Sequence, residues 1–155
     1  MRLEPSWAVK TLEHFLYNYY DELRELHDMK QNIIESSPAQ FEEIGGGGVS
    51  RHNSPTELKG IKIATNKEIV RREKWLKVVK DLVEDMKEID KRENKSYTKF
   101  IQKKYFDELG ENQICDELHI EHTTYHQWKK DILRHGLMLA AAIGLIKYEE
   151  LRKIS

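Results

Sequence analysis

Cysteine pairs and long hydrophobic runs are both missing from this 155-residue sequence. It contains one cysteine, Cys115, which excludes an internal disulfide and a zinc site built from several cysteines. Its longest apolar run, residues 136–146, is about half the roughly 20 residues that a membrane-spanning helix needs. No basic leader followed by an apolar segment opens the chain. We therefore expect a soluble cytoplasmic protein of one domain, or of a small domain with an extension, and no membrane partner.

The sequence also lacks an excess of either charge. It has 26 Lys and Arg residues against 27 Asp and Glu residues, a net charge of −1, which by itself argues against a nucleic-acid partner. The charges are segregated, however. Residues 1–43 carry a net charge of −5, residues 59–80 carry +6, residues 81–93 carry −3, and residues 96–155 contain nine charges of each sign. The value for the whole chain therefore hides one strongly basic segment.

Residues 1–36 have the pattern of an amphipathic N-terminal helix. Ser6 is a suitable N-cap, and the apolar residues that follow are spaced alternately three and four apart, with Lys30 in one core position. Pro38 predicts that the helix ends near Ser36. This heptad spacing is typical of a coiled coil, and it leaves open whether the helix pairs within its own chain or with another copy. The heptad positions are Val9, Leu12, Leu16, Tyr19, Leu23, Leu26 and Ile33.

A Gly-rich linker at residues 37–53 is followed by one long basic helix at residues 54–93. Ser54, Pro55 and Glu57 predict a capping box with proline in the first turn, and Gly60 is the expected weak point. With the first helix, this segment predicts a long helical hairpin or coiled-coil arm in which acidic and basic faces oppose each other. Its basic half also offers nonspecific contacts to phosphate, and the candidates are Lys59, Lys62, Lys67, Arg71 and Arg72.

Residues 96–146 predict shorter helices, and residues 147–155 a C-terminal tail. A first helix ends near Asp107, a second covers residues 111–119, and a third begins at His122 after a tight turn. Tyr125, Trp128 and Ile132 fall on one face of the third helix and are expected to face inward. Two helices joined by so short a turn fit a helix-turn-helix. The expected fold class is thus all-α, an arm followed by a helix-turn-helix domain.

The outward face of the third helix carries side chains that can contact bases and phosphates. Gln pairs bidentately with adenine, Thr offers a hydroxyl and a methyl group, and Lys binds guanine or phosphate. This composition predicts binding to double-stranded DNA. The predicted base contacts are Thr123, Thr124, His126, Gln127 and Lys130, and the predicted phosphate contacts are Lys129 and Arg134.

Two further patterns have alternative interpretations. The apolar residues 137–143 extend the third helix, with Gly144 as its expected C-cap. They predict either packing on the long basic helix or the first short helix, or a homodimer contact. Cys115, His119, His122 and His126 have spacings that resemble a transition-metal site. In a helix-turn-helix Cys115 points into the core and the four side chains diverge, so we predict no metal site. No cofactor motif or catalytic arrangement appears, and we predict a protein that is not an enzyme.

Three stretches carry a resemblance to a known family: FIQKKYF at residues 100–106, ICDELHI at 114–120 and TYHQWKKDIL at 124–133. They resemble the C-terminal domain of the RinA/ArpU-like phage late transcriptional activators, and the upstream layout is similar too. The resemblance implies a helix-turn-helix like the fourth region of bacterial sigma factors, in a protein that switches on late or packaging genes. Glu121 departs from the Ser or Thr cap usual there, and Tyr125 and Trp128 are bulkier than the usual inward residues.

The expected function is sequence-specific DNA binding and transcriptional activation of phage late genes, with host RNA polymerase, in the cytoplasm of the bacterial host. Dimers or higher oligomers are compatible with the pattern. The alternative is a non-enzymatic helical adaptor that docks on polymerase or a phage assembly component without reading bases.

Overall fold

The computed structural model describes residues 6–36 and 54–154, and within these ranges all regular structure is helical. The predicted all-α class is confirmed. The described residues form seven α-helices, with a π-helical turn after α5 and a 3₁₀ segment after α7, and the predicted Gly-rich linker at 37–53 lies outside them. The bounds are α1 Trp7–Tyr17, α2 Tyr19–Ile34, α3 Pro55–Thr65, α4 Lys67–Glu93, α5 Tyr97–Ile101, the π turn Gln102–Phe106, α6 Glu111–Leu118, α7 His122–Ala142 and the 3₁₀ segment Tyr148–Ile154.

The first predicted helix is two helices, because the chain breaks at Asn18. Ser6 caps α1 as expected, with its hydroxyl accepting a hydrogen bond from the Val9 amide at 3.3 Å. At Asn18 the backbone leaves helical geometry, and the side-chain amide donates to the His14 carbonyl at 2.9 Å. An asparagine amide competes in this way with the helical hydrogen bonds of the main chain. The predicted heptad seam is therefore interrupted, and Leu23 is 38% exposed.

The second predicted helix is likewise divided, at Asn66 and not at Gly60. The capping box at its start is confirmed, since Ser54 and Glu57 bond each other's backbone amides at 3.2 Å. The Asn66 side chain then caps a second helix by accepting from the amides of Glu68 and Ile69. Asparagine is among the best N-cap residues, so this break produces a new helix start with satisfied donors.

The α1–α2 pair runs antiparallel to the α3–α4 pair within one chain. As the residue number rises along α1 and α2, the number of the contacting residue on α3 and α4 falls. The first helix therefore finds its partner in its own chain, with the acidic side of α2 against the basic start of α4. In order, the contacting pairs are Phe15 with Trp75, Glu22 with Arg72, and Ile34 with Lys59.

The second half of α7 enters the same hydrophobic core. Gly136 lies so close to α1 and α4 that a Cβ there would sit 2.7 Å from Leu12 Cδ2 and 3.2 Å from Leu82 Cδ2. Leu137 and Ala140 are fully buried beside it. Leu137, Ala140 and Ala141 are thus covered by their own chain, whereas Met138 is 52% exposed, and the homodimer contact stays a prediction. Arm and C-terminal helices form one continuous core.

The end of α7 follows the prediction. Gly144 adopts a left-handed conformation with φ of 80°, and the Leu145 amide bonds the Ala140 carbonyl at 3.0 Å. This pattern closes a helix and favours glycine. A 3₁₀ segment, and not an irregular tail, occupies most of the following residues. In the two described ranges, no helix combines the length and apolar character needed to cross a bilayer.

Candidate nucleic-acid interface

The turn between α6 and α7 is formed by three residues, 119–121, one position earlier than the predicted turn at 120–122. His119 closes α6 in a left-handed conformation with φ of 54°, and the Ile120 amide donates to the Cys115 carbonyl at 3.0 Å. Histidine is one of the few non-glycine residues enriched in this conformation. His119 therefore acts as a helix terminator. Glu121 precedes α7 with an extended backbone and makes no side-chain capping bond.

Aromatic rings hold the inner face of α7 against α5. Tyr125 packs on Phe100 with ring centroids 5.0 Å apart, and Trp128 meets Tyr97 edge-on at 5.2 Å. Tyr125 and Ile132 are buried and Trp128 is partly buried, which confirms the inward face predicted from spacing. Because one face of α7 is fixed in this way, the opposite face is presented in a defined orientation.

Lys104, which the sequence did not single out, ties the π turn to α1 and α7. Its ammonium lies 5.7, 5.3 and 5.6 Å from the ring centroids of Tyr17, Tyr105 and Tyr125. Cations over aromatic rings are attracted by the ring quadrupole. Burial lowers the pKa of Lys104, but hydrogen bonding to Tyr125 and Tyr17 raises it above the ordinary value, so the side chain stays charged.

Glu111 links the start of α6 to the first turns of α7. Its Oε1 lies 2.9 Å from His122 Nδ1 and 2.9 Å from His126 Nε2. The hydrogen bond with His122 is the main cause of a lowered pKa for Glu111. His126, a predicted base contact, is therefore engaged by α6 through one ring nitrogen, although its side chain remains largely exposed.

Two of the four residues whose spacing resembles a metal site, Cys115 and His122, lie closer together than predicted. Cys115 is buried, burial raises its pKa, and its Sγ lies 3.9 Å from His122 Nδ1. The expectation that all of these side chains diverge is wrong for this pair. Among the described residues, no three His, Cys, Asp or Glu side chains are arranged to hold a metal ion.

Four of the predicted contact residues form one exposed stripe along α7. Thr123, Gln127, Lys130 and Arg134 follow each other at intervals of four, three and four residues, so they share a face about 16 Å long. His126 is exposed at its edge, while Thr124 and Lys129 are half-buried. This stripe, called the α7 stripe below, offers an amide, a hydroxyl and two cations, which suits the edges and phosphates of a nucleic acid.

The carboxylate of Asp131 lies beside the stripe and accepts two hydrogen bonds. Gln127 Nε2 donates to Asp131 Oδ1 at 2.8 Å, and the Tyr97 hydroxyl donates to Asp131 Oδ2 at 3.0 Å. Gln and Asp four residues apart on a helix are expected to meet. Tyr97 lies 34 positions away in sequence, and no local signal indicates its role.

The predicted phosphate contacts on α3 and α4 differ in availability. Arg72 is only 18% exposed and pairs with Glu22 at 2.6 Å and with Glu68 at 2.9 Å, so its charge is largely used within the chain. The carboxylates beside it raise its pKa against the effect of burial. Lys59 donates to the Ile34 carbonyl, and Arg71 lies 3.8 Å from Glu68. Lys62 and Lys67 are exposed.

Fold and site together define an all-α protein whose last long helix buries one face and presents a polar stripe on the other. The chain belongs to the family described as "Protein of unknown function (DUF1492)", whose model matches residues 34–135 and so includes the whole α7 stripe. No curated protein and no solved structure matches the chain.

Proposed function

We propose that this protein binds duplex DNA in a sequence-specific manner through the α7 stripe and activates transcription of phage late genes. The observation that carries the proposal is the exposed stripe on a helix that begins after a three-residue turn and is anchored by its opposite face. A helix of this kind enters the major groove as the second helix of a helix-turn-helix. The resemblance to RinA/ArpU-like activators supports the transcriptional role and contact with host RNA polymerase.

The side chains of the α7 stripe and of the residues around it divide into two roles. Gln127, Lys130 and Thr123 read base edges, since they lie in its first three positions. Lys129 and Arg134 bind phosphates on either side, and Lys62 and Lys67 extend the phosphate contacts. His126 contributes through the ring nitrogen that does not face Glu111. Each phosphate that is neutralised steepens the log-log salt dependence by about 0.9, so affinity falls steeply with salt.

The test is selection of bound duplexes from a random pool by the full-length chain. We expect one motif, and we expect the double variant Gln127→Ala/Lys130→Ala to lose on the order of 1 to 3 kcal/mol of affinity for it. Gln31→Ala/Lys10→Ala is the matched control, because Gln31 makes the same bond one turn along its helix, to Glu35 at 2.9 Å. Recovery of no motif, or equal losses in both double variants, contradicts DNA reading.

A helical adaptor that docks on a protein is the second candidate, and exposed aromatic residues favour it. Tyr20 is 64% exposed, and Trp7 and Tyr148 are also exposed. Exposed aromatics are enriched in protein interfaces. If docking is the function, Tyr20→Ala weakens binding to purified host RNA polymerase, whereas the Gln127/Lys130 double variant binds polymerase normally. Loss of DNA binding in the double variant with no effect of Tyr20→Ala contradicts the adaptor.

A further inference from the structure

A chain of hydrogen bonds leads from the exposed Lys95, through the buried Tyr97, to the α7 stripe. Lys95 Nζ donates to the Tyr97 hydroxyl at 3.1 Å, Tyr97 donates to Asp131 Oδ2 at 3.0 Å, and Gln127 donates to Asp131 Oδ1 at 2.8 Å. Every donor in this chain points toward Asp131. Its two carboxylate oxygens therefore each have a separate partner, one buried and one on the stripe.

Tyr97 is a rigid support for this arrangement. It is 4% exposed, its ring meets Trp128 edge-on, and its backbone amide donates to Asp90 Oδ1 at 2.8 Å. Its ring and backbone are thus held by the core, and the hydroxyl reaches Asp131 from this fixed position. An ordinary exposed Gln–Asp pair has no such anchor and exchanges freely with water.

An ionised carboxylate accepts hydrogen bonds and donates none. The Gln127 amide must therefore turn its NH₂ group toward Asp131, which directs Oε1 and the second N–H away from the carboxylate. An amide carrying one acceptor and one donor on its free side matches adenine in the major groove, where N6 donates and N7 accepts. With the amide reversed, the NH₂ group would face the base without an acceptor beside it.

We propose that Asp131 is a positioning residue that fixes the Gln127 amide, so that α7 reads an adenine. This inference rests on the proposed DNA-binding function and adds the base that is read and the residue that orients its reader. Asp131 does not touch the base. A correctly paired bidentate contact discriminates against the wrong base by roughly 5- to 150-fold.

The experiment measures, at each position of the selected motif, the ratio of affinities for the four base pairs. For the full-length wild-type chain we expect one motif position at which adenine is preferred. In Gln127→Ala the affinity ratio at this position should fall close to one. Asp131→Asn should lower the ratio at that position by at least about 5-fold and leave the ratios at other positions unchanged. Tyr97→Phe, which keeps the buried ring and all charges, should lower it by less. Asp131→Glu, which keeps two acceptor oxygens, should retain more of it than Asp131→Asn, whose amide keeps one acceptor and adds a donor.

Ratios separate positioning from charge and from folding. Asp131→Asn also removes a negative charge near the DNA, which strengthens binding to every duplex by one factor and cancels in the ratio. Urea unfolding of each variant checks its stability, and Tyr97→Phe supplies the test if Asp131→Asn is unfolded. An unchanged adenine ratio in both variants overturns the inference alone. Absence of any motif for the wild-type chain overturns the proposed function, and the inference with it.

Discussion

The two halves of α7 have opposite surroundings although they form one uninterrupted helix. Residues 122–131 carry most of the α7 stripe and pack on α5 and α6 through Tyr125, Trp128 and the two histidines beside Glu111. Residues 132–142 pass between α1 and α4, where Ile132, Leu137 and Ala140 are fully buried. The difference shows how a small protein can hold a reading surface rigidly: the second half is buried in the core, and the first half is held by one face while the other faces solvent.

The two basic regions of the chain differ in a similar way. The segment of highest positive charge, on α3 and α4, has part of its charge satisfied by α2, most completely at Arg72. The α7 stripe has fewer cations, and Lys130 there is exposed. Charge in the sequence is therefore a poor measure of charge available to a polyanion, because intramolecular pairs use it first.

Loss of a core side chain in the buried half should have the largest effect. Ile132 is 0% exposed, and Ile132→Ala should lower the free energy of unfolding by about 2 to 5 kcal/mol, since a cavity adds to the lost burial. Lys130→Ala, two residues earlier on the exposed half, should change it by less than about 0.5 kcal/mol. Urea denaturation measures both free energies of unfolding. Similar losses in the two variants would contradict a buried second half and an exposed first half of α7.

Overpacking at Gly136 should have the next largest effect. Gly136→Val places new atoms against Leu12 and Leu82 and should destabilise by about 1 to 3 kcal/mol, because the buried side chains must shift. Gly60→Ala is the control, since nothing lies within 4 Å of a Cβ there. That change should stabilise by up to about 1 kcal/mol through helix propensity. A neutral Gly136→Val would mean that α7 is not held closely by α1 and α4.

A smaller loss of unfolding free energy is expected at Asp90, which caps α5, the helix on which the first half of α7 packs. Asp90 on α4 accepts hydrogen bonds from the backbone amides of Tyr97 and Thr98 at 2.8 and 3.0 Å, and so caps α5 from another helix. Asp90→Ala should cost about 1 kcal/mol in thermal or urea unfolding. Ser96 occupies the ordinary cap position without a side-chain capping bond, and Ser96→Ala should have little effect. A larger loss of stability in Ser96→Ala than in Asp90→Ala would contradict capping by Asp90.

The smallest effect concerns the acid stability of the first turns of α7. Because the pKa of Glu111 is lowered in the folded protein, this carboxylate contributes stability above its unfolded pKa of about 4.3. That contribution is lost as the pH falls from this value through the folded pKa. Glu111→Gln should therefore flatten the acid part of the plot of unfolding free energy against pH. Asp116→Asn, also on α6, serves as a charge-matched control, and an equal flattening there would exclude a specific role for Glu111.

Local signals located several helix ends correctly. Ser6, the capping box at Ser54 and Gly144 act where the sequence places them, because a cap depends on side chains within a few residues. The breaks at Asn18 and Asn66 were missed. Asparagine within an amphipathic pattern is compatible with a continuous helix, and packing of the flanking segments decides between the two.

The sequence by itself determined the all-α class, the start of α7 after a short turn, and which residue types line its outer face. These features depend on apolar spacing and on hydrogen bonds between neighbours in the chain. Only the tertiary structure decided that Arg72 is paired, that α7 is anchored between α1 and α4, and that Tyr97 and Asp131 adjoin Gln127. Such contacts join residues tens of positions apart, and no periodic pattern specifies which distant side chains will meet.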